Sequence, residues 1–245
     1  MIDKKIHYIW LGGEKPEKIK KCIESWYKYL PNYEIIEWNE TNINIEEEKK
    51  KNKFFKLCYE KKLWGVITDY LRTNILYNYG GVYLDADVEI LKSFDELLNN
   101  DFFLGRESET DICYAVIGSI PEHSFLEKMK KIYDEDIWKI NKFISTDIIE
   151  LVMKKYYRNK RILEKERMKI YPIEYFYPYY WTDKYTDDCI TENTYAIHRW
   201  EGSWMVNPNI AYLQYKHLNP IKRFFKIRKK IRKIKLENEK RNTYK

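Results

Sequence analysis

The sequence predicts an α/β fold: one domain over residues 1–218 built on a mixed central sheet, then a basic amphipathic helix over 219–245. Three observations carry that expectation. The chain opens strand, helix, strand; it switches from helical to strand periodicity at Gly80-Gly81; and its composition turns strongly basic at Asn219. With 245 residues and no Pro- or Gly-rich linker, it can bury one substantial core.

Ile6 to Leu11 is a continuous apolar strand, and Gly12-Gly13 after it let a ligand approach the backbone closely. Residues 16–30 read as a helix, with Pro16 at its start and Ile19, Ile23, Trp26, Tyr27 and Leu30 on one face. Pro31-Asn32 end it, and Tyr33–Trp38 reads as the second strand. That order opens a nucleotide-binding sheet. Glu46–Lys53 is a charged, solvated run, a loop or a helix face. Helices over 54–64 and 66–79 follow, the second stopped by Gly80, where a helix C-terminus favours a residue free to take positive φ.

Val82-Tyr83-Leu84 then forms a buried strand that delivers Asp85 and Asp87 at its carboxyl end. Strand alternation puts both carboxylates on one side with only Ala86 between them. Two converging hard oxygen donors suit Mg²⁺ or Mn²⁺, and the carboxyl ends of strands are where α/β sheets bind ligands. Further on, Asp95–Leu98 is a helical turn, Phe102–Gly105 and Ala115–Gly118 are strands, 122–140 and 145–163 read as helices, and Tyr195–His198 is a short strand.

Asp69-x-x-Arg72 on a helix, followed by Tyr79-Gly80-Gly81-Val82-Tyr83-Leu84-Asp85-x-Asp87, resembles the sugar-binding region of the DXD glycosyltransferases. This family is typified by the yeast initiating mannosyltransferase and bacterial capsular-polysaccharide enzymes, and the chain is more distantly similar to the large clostridial glucosylating toxins. Two further blocks agree in order, Ile6–Gly13 and Tyr195-Ala196-Ile197-His198-x-x-x-x-Ser203-Trp204. The resemblance implies a GT-A-like, Rossmann-type domain that binds a nucleotide sugar, with a UDP-sugar favoured and a GDP-sugar the alternative. It implies Mn²⁺ or Mg²⁺ on Asp85 and Asp87, with His198, Ser203 or both completing the coordination and Glu201 a further candidate. Ile9, Trp10, Gly12, Tyr83 and Ala86 would line the donor, the Trp10 indole stacking on the base. Trp204 would reach the diphosphate, Arg72 the sugar or diphosphate oxygens, and Asp69 the sugar hydroxyls. From the residues alone, Trp10 also reads as a core aromatic and Asp69–Arg72 as an intrahelical ion pair.

The family also implies a retaining transfer with same-face attack and no named enzymic nucleophile. Its acceptor is a glycan, lipid-linked in polysaccharide or oligosaccharide synthesis; a toxin-like transfer to protein and a non-catalytic binding module are the rival readings. The aromatic run Tyr171–Trp181 is either a wall of the acceptor cleft or a packed loop. Phe143-Ile144-Ser145-Thr146-Asp147 departs from the Gly-Pro of many relatives on the acceptor side.

Cys22, Cys58, Cys113 and Cys189 have neither metal-ligand nor disulfide-framework spacing. No apolar run is long enough for a leader or a span, so the expected location is cytoplasmic, peripheral at the inner membrane face. Residues 219–245 hold twelve Lys and Arg against Glu237 and Glu239, net +10, which leaves −3 for the rest of a chain of net charge +7. Phe224, Ile227, Ile231 and Ile234 recur at helical spacing among the basic residues, so residues 220–245 are expected either to lie on an anionic membrane or to pack on the domain. Nucleic acid is not an expected partner, because the basic charge is confined to this tail.

Overall fold

The computed structural model describes residues 1–201 and 207–243, with 238–243 as backbone only. Ser203 and Trp204 lie outside the described residues. The main sheet has six strands, β1 (Lys5–Ile9), β2 (Glu34–Trp38), β3 (Gly81–Leu84), β5 (Phe102–Arg106), β6 (Ile112–Ser119) and β7 (Met168–Tyr171), in the order β2-β1-β3-β6-β5-β7. A separate antiparallel pair joins β4 (Val88–Ile90) to β8 (Ala196–His198). Strand β1 runs parallel to β2 and β3, β6 runs antiparallel to β3 and β5, and β7 is parallel to β5. The sheet is therefore mixed, as the sequence predicts.

Side chains alternate between two cores, one on each face of this sheet. Tyr83, Phe102, Leu104 and Ile117 point to a core shared with α3 (Lys53–Glu60), α4 (Trp64–Tyr79), α5 (Ser124–Lys131) and α6 (Ser145–Tyr156). Val82, Leu84, Phe103 and Val116 point to the other, closed by α1 (Glu17–Tyr29) and by Phe176 of the short α8 (Ile173–Phe176). Helix α4 is buried around most of its circumference, and it ends at Gly80, whose φ of 62° is the positive value the sequence calls for there. Helix α1 does more than cover the sheet. Its Trp26 Nε1 donates to the Val88 carbonyl at 2.7 Å, and its Ser25 Oγ accepts from the Ile90 amide at 2.9 Å, so β4 is pinned from beneath.

Of the two readings of the charged run the helix holds: it is α2 (Ile45–Lys51), with glutamates in its first turn and lysines in its last, complementing the helix dipole. Several other local expectations are corrected. The helix expected over 54–64 ends at Glu60, where Asn209 and Asn207 side chains take the Lys61 and Lys62 carbonyls. The helix over 122–140 is α5 followed by a single π-helical turn, Ile132–Asp136. The helix over 145–163 divides into α6 and α7 (Lys160–Lys165), because the Asn159 side chain accepts from the Arg161 amide and starts a new helix. Strands β4 and β7 carry no sequence signal strong enough to be read, being three and four residues long.

The short α9 (Ala211–Gln214) leads into α10 (Pro220–Thr243), where the expected apolar stripe divides. Ile227 and Ile234 are buried against the domain, whereas Phe224 is exposed. No helix among the described residues is long and apolar enough to cross a membrane. The four cysteines are free thiols, three of them buried.

His7 of β1 is buried, accepts from Trp38 Nε1 through Nδ1 at 3.1 Å, and is pushed down to about 4 by burial, with Lys5 adding to the fall. Because its folded value lies below the ordinary one, the unfolded chain takes up the proton first as pH falls. Stability is therefore lost from pH ~6.5 down to ~4, by roughly 3 kcal/mol at most. Urea unfolding across that range should show a shallower loss in His7→Gln than in wild type.

Candidate active site

Asp85 and Asp87 do not sit on a strand, as strand alternation would have placed them, but in a turn between the two sheets. The Asp85 amide donates to Ala115 O at 2.8 Å, extending the β3–β6 ladder by one residue, and the Val88 amide closes the turn onto Asp85 O at 3.0 Å. The Asp87 carbonyl accepts from the Arg199 amide at 2.9 Å, which extends the β4–β8 ladder instead. One backbone thus passes from one sheet to the other across three residues, and the turn swings both carboxylates to one place. Among the described residues, Asp85, Asp87 and His198 each offer a ligand atom within 4.8 Å of the others. Two carboxylate oxygens and an imidazole nitrogen form a donor set that fits a divalent cation such as Mn²⁺. His198 Nδ1 is buried with no partner among the described residues, while its Nε2 lies 3.2 Å from Asp87 Oδ1.

Behind the carboxylates lies Arg72, 4% exposed. Its Nη2 sits 2.9 Å from Asp85 Oδ1 and 3.1 Å from Asp69 Oδ1, its Nη1 donates to the Tyr114 carbonyl, and its guanidinium lies 4.6 Å from the Tyr83 ring centre. Tyr83 OH also donates to Asp85 Oδ1 at 3.0 Å. Asp69, 6% exposed, accepts the Ser145 amide at the start of α6 on its second oxygen at 3.1 Å, so both of its oxygens are engaged. Burial pushes Asp69 up to about 6, with Asp85 adding to the rise and Arg72 opposing it. Burial likewise raises Asp85, with Arg72 opposing and Asp87 adding. Burial works to raise Asp87 too, but His198 and the Glu201 amide hold it below the ordinary value. Against the cost of its own burial, Asp87 holds His198 well above the usual imidazole range.

The other residues that the resemblance assigns to the donor lie at and after the carboxyl end of β1 and in the turn after β3. Ile9, buried, ends β1. Trp10 is half-buried and its indole N–H donates to Gly13 O at 2.7 Å. Gly12 takes φ 87° and donates its amide to Glu40; a Cβ there would lie 2.5 Å from the Trp64 indole nitrogen. Ala86 is half-buried in the turn between the aspartates. Glu201 donates its amide to Asp87 Oδ2 at 3.0 Å, while its carboxylate pairs with Lys18 at 3.2 Å.

Sequence reasoning missed Trp200 and the Tyr114 carbonyl. Trp200 has φ 54°, packs on His198 with ring centres 4.1 Å apart, and donates its indole N–H to Tyr179 O at 3.1 Å. Its position two residues after His198 was the available signal; a backbone carbonyl such as Tyr114 O leaves none. In the run Tyr171–Trp181, Phe176 and Tyr177 are core residues, whereas Tyr179 and Tyr180 line a cleft of about 290 Å³ with Glu107, Ser108 and Asp183. Burial raises the Glu107 carboxyl.

Arg72→Lys keeps the charge but not the fork that reaches Asp69, Asp85 and Tyr114 O together. Chemical denaturation should show a loss of about 2 kcal/mol or more. An unchanged unfolding free energy would mean that the ion pairs contribute little.

Residues 16–104 match the family model described as the glycosyltransferase sugar-binding region containing the DXD motif. A stretch of 110 residues is 34% identical to "Subversion of eukaryotic traffic protein A" of Legionella pneumophila, covering 36% of this chain and 17% of that protein. Another of 126 residues is 32% identical to inositol phosphoceramide mannosyltransferase 3 of Schizosaccharomyces pombe, covering 51% of this chain and 35% of that enzyme. The chain thus spans about a third or less of the length of these relatives. The solved PaToxG glycosyltransferase shares the fold, with TM-score 0.50 at 16% identity over 67% of this chain and 73% of that one. Arg72, β3 and the paired aspartates of the site all fall inside this matched segment, so the geometry and the likeness to the DXD sugar-binding region coincide on the same residues.

Proposed function

We propose that the chain is a metal-dependent, anomer-retaining glycosyltransferase that moves a sugar from a nucleoside-diphosphate donor to a glycan acceptor. The observation that carries this reading is the convergence of Asp85, Asp87 and His198 beside a buried arginine, inside the segment shared with DXD glycosyltransferases. Asp85, Asp87 and His198 would hold Mn²⁺ or Mg²⁺, which when bound offsets the charge that builds on the departing diphosphate.

The chain's own residues do the rest. Arg72, fixed by Asp69 and the Tyr114 carbonyl, keeps positive charge at the floor of the diphosphate site and prevents Asp85 from turning away. Asp69, with both oxygens engaged, acts through Arg72. Trp10 offers its face to the base, worth about 1–3 kcal/mol for any base, and it is the resemblance that favours a UDP-sugar over a GDP-sugar. The acceptor sugar enters the cleft of Tyr179, Tyr180, Glu107 and Asp183, where rings give stacking faces and carboxylates accept sugar hydroxyls. Its hydroxyl oxygen attacks the anomeric carbon on the face the diphosphate leaves, and a leaving phosphate oxygen takes the proton.

The acceptor is a lipid-linked glycan of polysaccharide or oligosaccharide synthesis in this reading, in keeping with the sphingolipid mannosyltransferase named among the relatives. The rival reading is a toxin-like transfer to protein. Radiolabelled donor incubated with a cell lysate separates the two by whether label enters the lipid extract or the protein pellet.

A thermal-shift screen of UDP, GDP, CMP and their sugars, with and without Mn²⁺, tests the reading directly. One nucleotide should raise the midpoint only with Mn²⁺, and Asp87→Asn should abolish that shift while folding normally. A folded wild type that responds to no nucleotide would refute it. Tyr180→Ala should raise the acceptor KM about tenfold while leaving donor hydrolysis unchanged.

A further inference from the structure

Helix α10 uses one stripe to reach the domain. Residues 223, 227, 230, 231 and 234 are buried or half-buried, at a spacing that fits one helical face, and Ile227 and Ile234 are its deepest members. A solvated helix would carry only polar residues elsewhere. Here Ile221 is 74% exposed, Phe224 53%, Phe225 66% and Leu236 49%. By the helical repeat all four fall on one flank, together with Arg228, Arg232 and Lys235. Arg228, Arg232 and Lys235 rim a groove of about 370 Å³, with Ile231 and Leu236 among its lining.

We propose that this flank docks the protein on an anionic phospholipid surface. The inference is independent of the transfer reaction. Charge favours it: residues 219–245 carry net +10 on a chain whose remainder is −3, and among the described residues of α10 one lysine, Lys233, meets a carboxylate, Glu237, at 3.7 Å. Ile221, Phe224 and Phe225 would enter the boundary between headgroups and acyl chains, while arginine and lysine stems lie along it with their charges on lipid phosphates. Packing argues against single-stranded nucleic acid. Phe224 meets Phe225 edge-on at 5.5 Å and carries the Arg228 guanidinium 5.3 Å from its ring centre, so the two rings form no continuous stacking platform and one face of Phe224 already holds a cation.

Substitution tests this better than truncation, which would strip Ile227 and Ile234 from the domain. Full-length protein is floated with vesicles of phosphatidylcholine alone and of phosphatidylcholine mixed with phosphatidylglycerol. Wild type should float with the mixed vesicles only. Ile221→Ser/Phe224→Ser/Phe225→Ser and Arg228→Glu/Arg232→Glu should each lower that partition at least about tenfold, with far-UV circular dichroism and unfolding midpoint unchanged. Any of four results overturns the proposal: no flotation of wild type, equal flotation with neutral vesicles, undiminished flotation of the serine variant, or retention by single-stranded RNA in place of vesicles. Self-association that the serine variant abolishes, without vesicle binding, would assign the flank to a second copy and overturn it as well. The readout needs no donor, so it stands or falls apart from the proposed activity.

Discussion

A guanidinium that is nearly withdrawn from water must be surrounded by acceptors, and the architecture around Arg72 follows from that constraint. Its four partners come from three places: Asp69 and Thr68 of its own helix, Asp85 of the turn after β3, and the Tyr114 carbonyl of β6. Helix α4, the β3 end and the β6 edge are thereby tied to a single planar group. A lysine could satisfy one of them at a time, and an apolar residue would leave two buried carboxylates unopposed. The α6 N-terminus joins this set through Ser145, whose amide supplies Asp69 with a second partner. The departure in sequence at residues 143–147 therefore lies against the charge network.

The second constraint is backbone continuity. Asp85 belongs to one ladder and Asp87 to the other, and α1 holds β4 in place through Trp26 and Ser25. The spacing of the two carboxylates is therefore set by hydrogen bonds of the main chain rather than by their own attraction for a cation. That matters because two carboxylates brought together without a cation repel; Asp85 rises while Asp87 falls, so the environment pushes the pair apart in acidity. Arg72 opposes the rise at one and His198 drives the fall at the other. The site is held ready by cations of the chain itself.

Much of this was legible in the residues, and the parts that were not share a physical reason. The parallel β1–β2–β3 portion could be read because apolar runs and glycine stops are local signals, and the resemblance over Asp69–Asp87 named the chemistry. Strand β8 was read within Tyr195–His198, but its partner β4 and their pairing were not, because a three-residue strand next to a turn is defined by its partner rather than by propensity. For the same reason strand alternation gave the right convergence of Asp85 and Asp87 on the wrong backbone: the turn is imposed by a ladder formed with residues more than a hundred positions away. The tail's basic charge was plain in composition. Which of its apolar residues face inward was not, since Phe224 and Ile227 share a sequence periodicity and only the domain surface separates them.

The strained backbone at Trp200 shows how the far side of the site is closed. A tryptophan at φ 54° is unfavourable by about 1–3 kcal/mol, so its neighbours must over-determine it. They do: on one side the Arg199 amide is bound to Asp87 O and its guanidinium to Glu89, on the other the Glu201 amide is bound to Asp87 Oδ2, and the indole itself is bound to Tyr179 O. The left-handed residue is what lets consecutive segments of chain address both the carbonyl and the carboxylate of one aspartate. It also turns the indole onto His198 and toward Tyr180, with ring centres 4.1 and 6.2 Å away. One residue thus stands between the carboxylate cluster and the aromatic cleft, held by the backbone on one side and by the Tyr179 carbonyl on the other.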